Sequence, residues 1–127
     1  MFKLEFNDYT VNKYQYIGEF HEGLARVKNN KGLWGFINKR GKEVIPCQFK
    51  EAKNFNEELA PVCNEEGVWG YIDKKGNFFI SCQNHFTFYT DEYTTAYNFY
   101  DGIARVRENY VNYFFINRRG KKITEKN

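Results

Sequence analysis

Serine is almost missing from this 127-residue chain, with Ser81 the single copy. A serine hydrolase is therefore a poor fit, because its nucleophile needs a matched base and an oxyanion hole around it. Cysteine is sparse and odd in number, at Cys47, Cys63 and Cys82. That set does not make a disulfide framework. Free thiols suit a reducing cytosol, so a cytoplasmic protein is expected. No apolar run approaches the length of about 18 residues needed for a membrane-spanning helix. The opening MFKLEFNDYT lacks a basic segment followed by an apolar one, so no secretory signal is read there, and the initial Met argues against processing. No Gly-rich phosphate loop, H-E-x-x-H or EF-hand pattern occurs. Helix-favouring Ala and Leu are scarce.

Aromatic residues are plentiful. They make up 20% of the chain, with 13 Phe and 10 Tyr. Such side chains suit half-buried pleated surfaces, and the composition leans all-β. The formal charge is +3, from 19 basic and 16 acidic residues. This balance permits an acidic partner without requiring one. A chain of this length forms one domain, or a short array that behaves as one.

The dominant feature is internal repetition. Phe20 to Asn54 reads FHEGLARVKNNKGLWGFINKRGKEVIPCQFKEAKN. Phe55 to Asn98 repeats it with an insertion, and Phe99 to Thr124 repeats it again as FYDGIARVRENYVNYFFINRRGKKIT. Trp34 and Trp69 lie 35 apart, and Gly76 and Gly120 lie 44 apart. Fixed-period similarity marks a repeat architecture. The recurring apolar positions are Phe20, Phe55 and Phe99; Leu24, Leu59 and Ile103; Ala25, Ala60 and Ala104; Val27, Val62 and Val106; and Ile37, Ile72 and Ile116. These should form a continuous core between repeats. Residues 1–19 read as a partial, capping repeat, with MFKLEF as its strand.

Each repeat parses into short strands around turn signals. Asn38-Lys39-Arg40-Gly41, Asp73-Lys74-Lys75-Gly76 and Asn117-Arg118-Arg119-Gly120 fit type I turns that close through a Gly bulge. The stretch from Gln48 to Asn54 is expected to be a loop with at most one helical turn. The whole is predicted to be all-β, built of antiparallel three-stranded units in about three tandem repeats with an N-terminal capping strand. A curved open sheet or a partly closed barrel would result, since three units are too few for an ordinary propeller.

This pattern resembles the WG-repeat family, also called KWG repeats. The matching residues are Phe20 to Val27, Trp34-Gly35-Phe36-Ile37, Lys39-Arg40-Gly41-Lys42 and Val44-Ile45-Pro46, then Trp69 to Gly76 in the second copy. The third copy departs, with Tyr113-Phe114 in place of Trp-Gly. The resemblance implies a β-rich repeat module of a kind common in bacteria, an interaction or structural element with no catalytic residues to carry over.

Three features are candidates for function. The dibasic turns, Lys39-Arg40, Lys74-Lys75 and Arg118-Arg119, would line one edge of a regular stack and could hold a polyanion or nucleic acid. They could equally be solvated turn residues that keep sheet edges soluble. The Trp-Gly pairs could present rings for stacking, although packing anchors beside a close backbone approach are the simpler reading. The insertion, residues 84–92, holds His85, Phe86, Phe88, Tyr89, Asp91 and Glu92. Aromatics beside charge on a surface loop make a protein-binding site, and HFTFYT could also form an added strand. Cys82 and His85 stand at C-x2-H spacing, too little for a zinc site, and no metal or cofactor is expected. The expectation is a non-catalytic module that binds a protein partner, in its finer form an immunity or inhibitor protein that blocks a toxin, with polyanion binding as the alternative and no membrane partner.

Overall fold

The computed structural model describes residues 12–80, 95–107 and 113–123. The first sheet holds β1 (Tyr14–His21), β2 (Leu24–Asn29), β3 (Trp34–Ile37) and β4 (Glu43–Phe49) in that order. The second holds β5 (Glu51–Ala52), β6 (Ala60–Cys63), β7 (Trp69–Ile72) and β8 (Phe78–Ile80). The third holds β9 (Thr95–Tyr100), β10 (Ile103–Arg107) and β11 (Tyr113–Ile116). All pairings are antiparallel. Each sheet ends on edge strands, so the open arrangement holds and none closes into a barrel.

The first two units have four strands, one more than the expected three-stranded unit. The extra strand comes from the segment before the E-G or E-E turn. In Gln48 to Asn54 the expected loop is instead strand at Gln48-Phe49 and Glu51-Ala52, with a bend at Lys50 and irregular backbone only at Lys53-Asn54. Phe49 and Ala52 are both buried there. They anchor the end of one sheet and the start of the next, so the crossing needs no loop. The expected capping strand MFKLEF lies outside the described residues.

Turn chemistry explains the hairpins. In each Asn/Asp-x-x-Gly turn the first side chain accepts two backbone N–H bonds. Asn38 Oδ1 accepts from Arg40 and Lys42, both at 3.0 Å. Asp73 and Asn117 do the same in their turns. The Gly at the fourth position has positive φ, as at Gly41, Gly76 and Gly120, which no side chain opposes. The same device closes Asn29 to Leu33 and Asn64 to Val68. Those turns carry N-N-K-G and N-E-E-G, the same signal with other middle residues.

The sheets pack face to face in chain order. Leu24, Phe36, Ile45 and Phe49 of the first sheet meet Ala52, Phe55, Ala60, Val62 and Ile72 of the second. Leu59, Cys63, Trp69, Tyr71 and Ile80 of the second meet Phe99, Ala104, Val106 and Ile116 of the third. The period-2 alternation of each strand supplies one face to each neighbour. Ala25, Val27 and Ile37 lie on the opposite face of the first sheet, also fully buried. One aromatic pair recurs at both junctions. Phe36 meets Phe55 edge-on at 4.8 Å, and Tyr71 meets Phe99 at 4.8 Å. Edge-to-face contact of this kind adds about 1 kcal/mol beyond area burial.

Candidate interaction surfaces

A ladder of carboxylates joins successive units. Glu22, Glu57 and Asp101 each open a two-residue hairpin turn with positive φ. Two left-handed residues in a row define the type I′ turn, whose twist matches that of the strands. The Glu22 carboxylate accepts hydrogen bonds from the N–H groups of Glu57 and Glu58, at 2.9 and 3.0 Å. The Glu57 carboxylate accepts in turn from Asp101 and from Gly102, the latter at 3.0 Å. Each turn thus caps the next, satisfying N–H groups that a tight turn leaves without a ladder partner. Glu57→Ala is expected to cost about 1–2 kcal/mol, as loss of a charged acceptor does, read as a lowered urea midpoint.

The middle turn carries strain. Glu58 has φ of 70°, where Gly23 and Gly102 stand in the other copies. A left-handed L-residue costs roughly 1 kcal/mol or more. Glu58→Gly should therefore raise stability by about 1 kcal/mol despite the greater freedom of glycine when unfolded. Thermal denaturation checks this; a lowered melting temperature would show that the Glu58 side chain contributes more than its backbone strain.

The dibasic turns are bound into this ladder. Lys74 Nζ lies 3.4 Å from Glu22, and Arg118 Nη1 lies 4.0 Å from Glu57. Arg118 also donates to the Glu57 carbonyl at 2.9 Å. The first basic residue of the second and third turns thus reaches back to the preceding unit. Lys39, Arg40, Lys75 and Arg119 are exposed at the turn tips. The structure places the six basic residues on equivalent turns, one turn per sheet, and gives Lys74 and Arg118 a structural partner.

The Trp residues are packing groups with cations over them. Trp69 is buried in the core between the second and third sheets, and Trp34 packs against the core between the first and second. Arg26 stands 5.0 Å from the Trp34 ring centre and donates to the Ala52 carbonyl at 3.0 Å. Lys53 lies 4.4 Å from the Tyr97 ring and 5.5 Å from that of Trp69. Burial lowers its pKa below the ordinary lysine value. Ring faces are attractive places for a cation short of water.

The edge strand β8 leaves two adjacent aromatics open to solvent. Phe78 is 47% exposed and Phe79 55%. Phe78 meets Phe49 edge-on at 6.3 Å, and Arg118 lies 5.6 Å from the Phe79 ring. Phe78 also lines a groove of about 460 Å³ together with Gln48, Phe49, Asn64, Glu65 and Glu66. Sequence reasoning passed over this site because Phe78 and Phe79 stand where the first repeat has Glu43 and Val44, so they do not recur. The chain continues from β8 toward the insertion. His85, Phe86, Phe88, Tyr89, Asp91 and Glu92 all lie outside the described residues, as does Cys82.

Among the described residues no three His, Cys, Asp or Glu side chains converge in a way that could hold a metal. Cys63 is buried. Burial, helped by Glu43, pushes the Cys47 thiol up to about 11. A thiol so protonated is a poor nucleophile at neutral pH.

Comparison with known proteins agrees with this geometry. No curated protein matches the chain. The family described as WG containing repeat matches residues 13–32, 34–67, 69–83 and 92–111. The match starts ahead of Phe20, where β1 begins its sheet, and stops before Tyr113-Phe114, where the third copy departs from Trp-Gly. These stretches cover well over half of the sequence, and the chain belongs to the WG-containing-repeat family.

Proposed function

We propose that this chain is a non-catalytic protein-interaction module. Membership of the WG-repeat family supports a repeat scaffold used for interaction. The observation that carries the reading is the β8 edge. Phe78 stands exposed in a groove bearing Glu65 and Glu66, and Phe79, the next residue on the same edge, is exposed beside Arg118. Aromatic anchors in a polar, charged setting are the usual energetic centre of a protein interface. The partner chemistry that fits is an apolar side chain flanked by a cation. Residues 84–92 follow β8 in the chain and would extend the contact with their own aromatics. In its finer form the module acts as an immunity or inhibitor protein that covers the working surface of a toxin.

The test is affinity capture from native extract with three baits: the wild type, Phe78→Ala/Phe79→Ala, and a deletion of residues 84–92. The expected result is a protein retained by the wild type and lost or weakened with both variants, each still folded by circular dichroism. Equal retention by all three would reject this surface. Loss with the deletion alone would confine the contact to the insertion.

The polyanion alternative draws on the exposed Arg40, Lys75 and Arg119. It requires binding to RNA or DNA that falls steeply with salt and weakens when these three are changed to Gln.

A further inference from the structure

We propose that the outer face of the third sheet is a two-fold self-association surface, occupied in solution by the same face of a second copy of this chain. Register makes the residues of this face equivalent to a contact that is buried twice elsewhere. Phe115 pairs with Arg105 as Tyr71 pairs with Pro61 and Phe36 with Arg26. Tyr113 stands likewise where Trp69 and Trp34 stand. Leu59, Trp69 and Tyr71 are 2%, 5% and 0% exposed, because the third sheet covers them. Their equivalents Ile103, Tyr113 and Phe115 are 45%, 52% and 43% exposed. Together with Ile123 they line a groove of about 610 Å³. Contiguous exposed aromatic and aliphatic groups of this kind mark an interface.

The polar devices of the stacking contact are present on this face too. Glu22 and Glu57 each receive two N–H bonds from the following turn. Asp101 occupies the same place, and no hydrogen bond from another described residue is made to its carboxylate. Arg26 bridges to the next sheet through the Ala52 carbonyl. Arg105 occupies the equivalent position, 5.3 Å from the Tyr113 ring. The face therefore carries an apolar centre, an acceptor and a donor.

Topology selects how a second copy meets it. A head-to-tail stack would need the outer face of the first sheet, but Ala25, Val27 and Ile37 there have no exposure. The available matching surface on a second copy is the third-sheet face itself. Two identical faces meeting about a two-fold axis are self-complementary here, since each brings one acid, Asp101, and one base, Arg105, to the contact. Phe115 and Tyr113 of the two copies would fill each other's grooves. Phe78 and Phe79 are not part of this face, so the proposal stands apart from the partner-binding surface above.

Sedimentation velocity of the purified chain over a wide concentration range tests this, with Phe115→Glu as the disrupting variant and Phe79→Glu as a control of equal charge. The expected result is a monomer–dimer equilibrium for the wild type and the control. Phe115→Glu should weaken dimerisation about thirtyfold or more, as loss of an interface anchor does. Phe115 is exposed, so the variant should keep its far-ultraviolet circular dichroism; should it unfold, Tyr113→Lys takes its place. A wild type that stays monomeric at all concentrations overturns the proposal. A dimer that survives Phe115→Glu or Tyr113→Lys in folded protein also overturns it, as does growth beyond dimers, which would mean head-to-tail assembly.

Discussion

Gly35→Ala is expected to destabilise the first sheet by about 3 kcal/mol, at the upper end for overpacking. A methyl group at Gly35 would sit 2.5 Å from the Ile45 carbonyl oxygen, 2.7 Å from the Cys47 nitrogen and 2.8 Å from the Pro46 carbonyl carbon. All three are backbone atoms and cannot swing aside. They approach because β4 bulges across β3, pairing Trp34 with Phe49 and Phe36 with Ile45. The approach is a packing requirement, since the φ of Gly35 is not in the left-handed region. The third copy has Phe114 at this position, with its ring packed against the core between the second and third sheets. Chemical denaturation of Gly35→Ala measures the cost. A change below about 1 kcal/mol would mean that β4 relaxes, and that the Trp-Gly signature is not set by this contact.

Phe55→Ala and Phe20→Ala should differ sharply although the repeat makes them equivalent. Phe55 is 1% exposed, between the first and second sheets, and meets Phe36 edge-on. Its removal leaves a cavity that backbone on two sheets holds open, and about 3–5 kcal/mol should be lost. Phe20 is only partly buried, packed on the cluster of Tyr14, Ala25, Val27 and Ile37. Its truncation should cost about half as much, because less area leaves contact and the site can relax. Phe99, fully buried against Tyr71, should behave as Phe55 does. Equal losses at Phe20 and Phe55 would show that both positions are equally enclosed.

These effects concern how the units are joined, and the ladder shows why joining matters here. A short stack gains its stability from the interfaces between neighbours as much as from each unit. Glu22 and Glu57 tie turn to turn, Lys74 and Arg118 tie the next turn back, and Arg26 reaches across to β5. Replacing one such group weakens a junction instead of a strand.

Much of this was legible in the amino-acid sequence. The period of the repeat, the alternation of Ala25 and Val27 against Leu24, and the Asn/Asp-x-x-Gly turns are local signals. They follow from the period of a pleated strand and from the φ that glycine alone adopts cheaply, so they need no knowledge of neighbours. The same locality misled at Gln48 to Asn54, where polar residues suggested a loop. Buried Phe49 and Ala52 make it a strand-to-strand crossing instead. It also hid Phe78 and Phe79, which stand outside the recurring apolar set and lie on an edge strand. Acidic residues in turns before strands are usually solvated, and nothing local in the sequence gives Glu22, Glu57 and Glu58 another task. Only their placement one unit apart, within hydrogen-bond reach of the next turn, gives them a task. What the sequence determined alone was the repeating hairpin: its turns, three of its strands and the alternation of its two faces. What the tertiary structure decided was which units meet, because burial and hydrogen bonding across sheets depend on distance in space. Ile103, Tyr113 and Phe115 therefore match buried residues in sequence yet stand exposed on the open face of the third sheet.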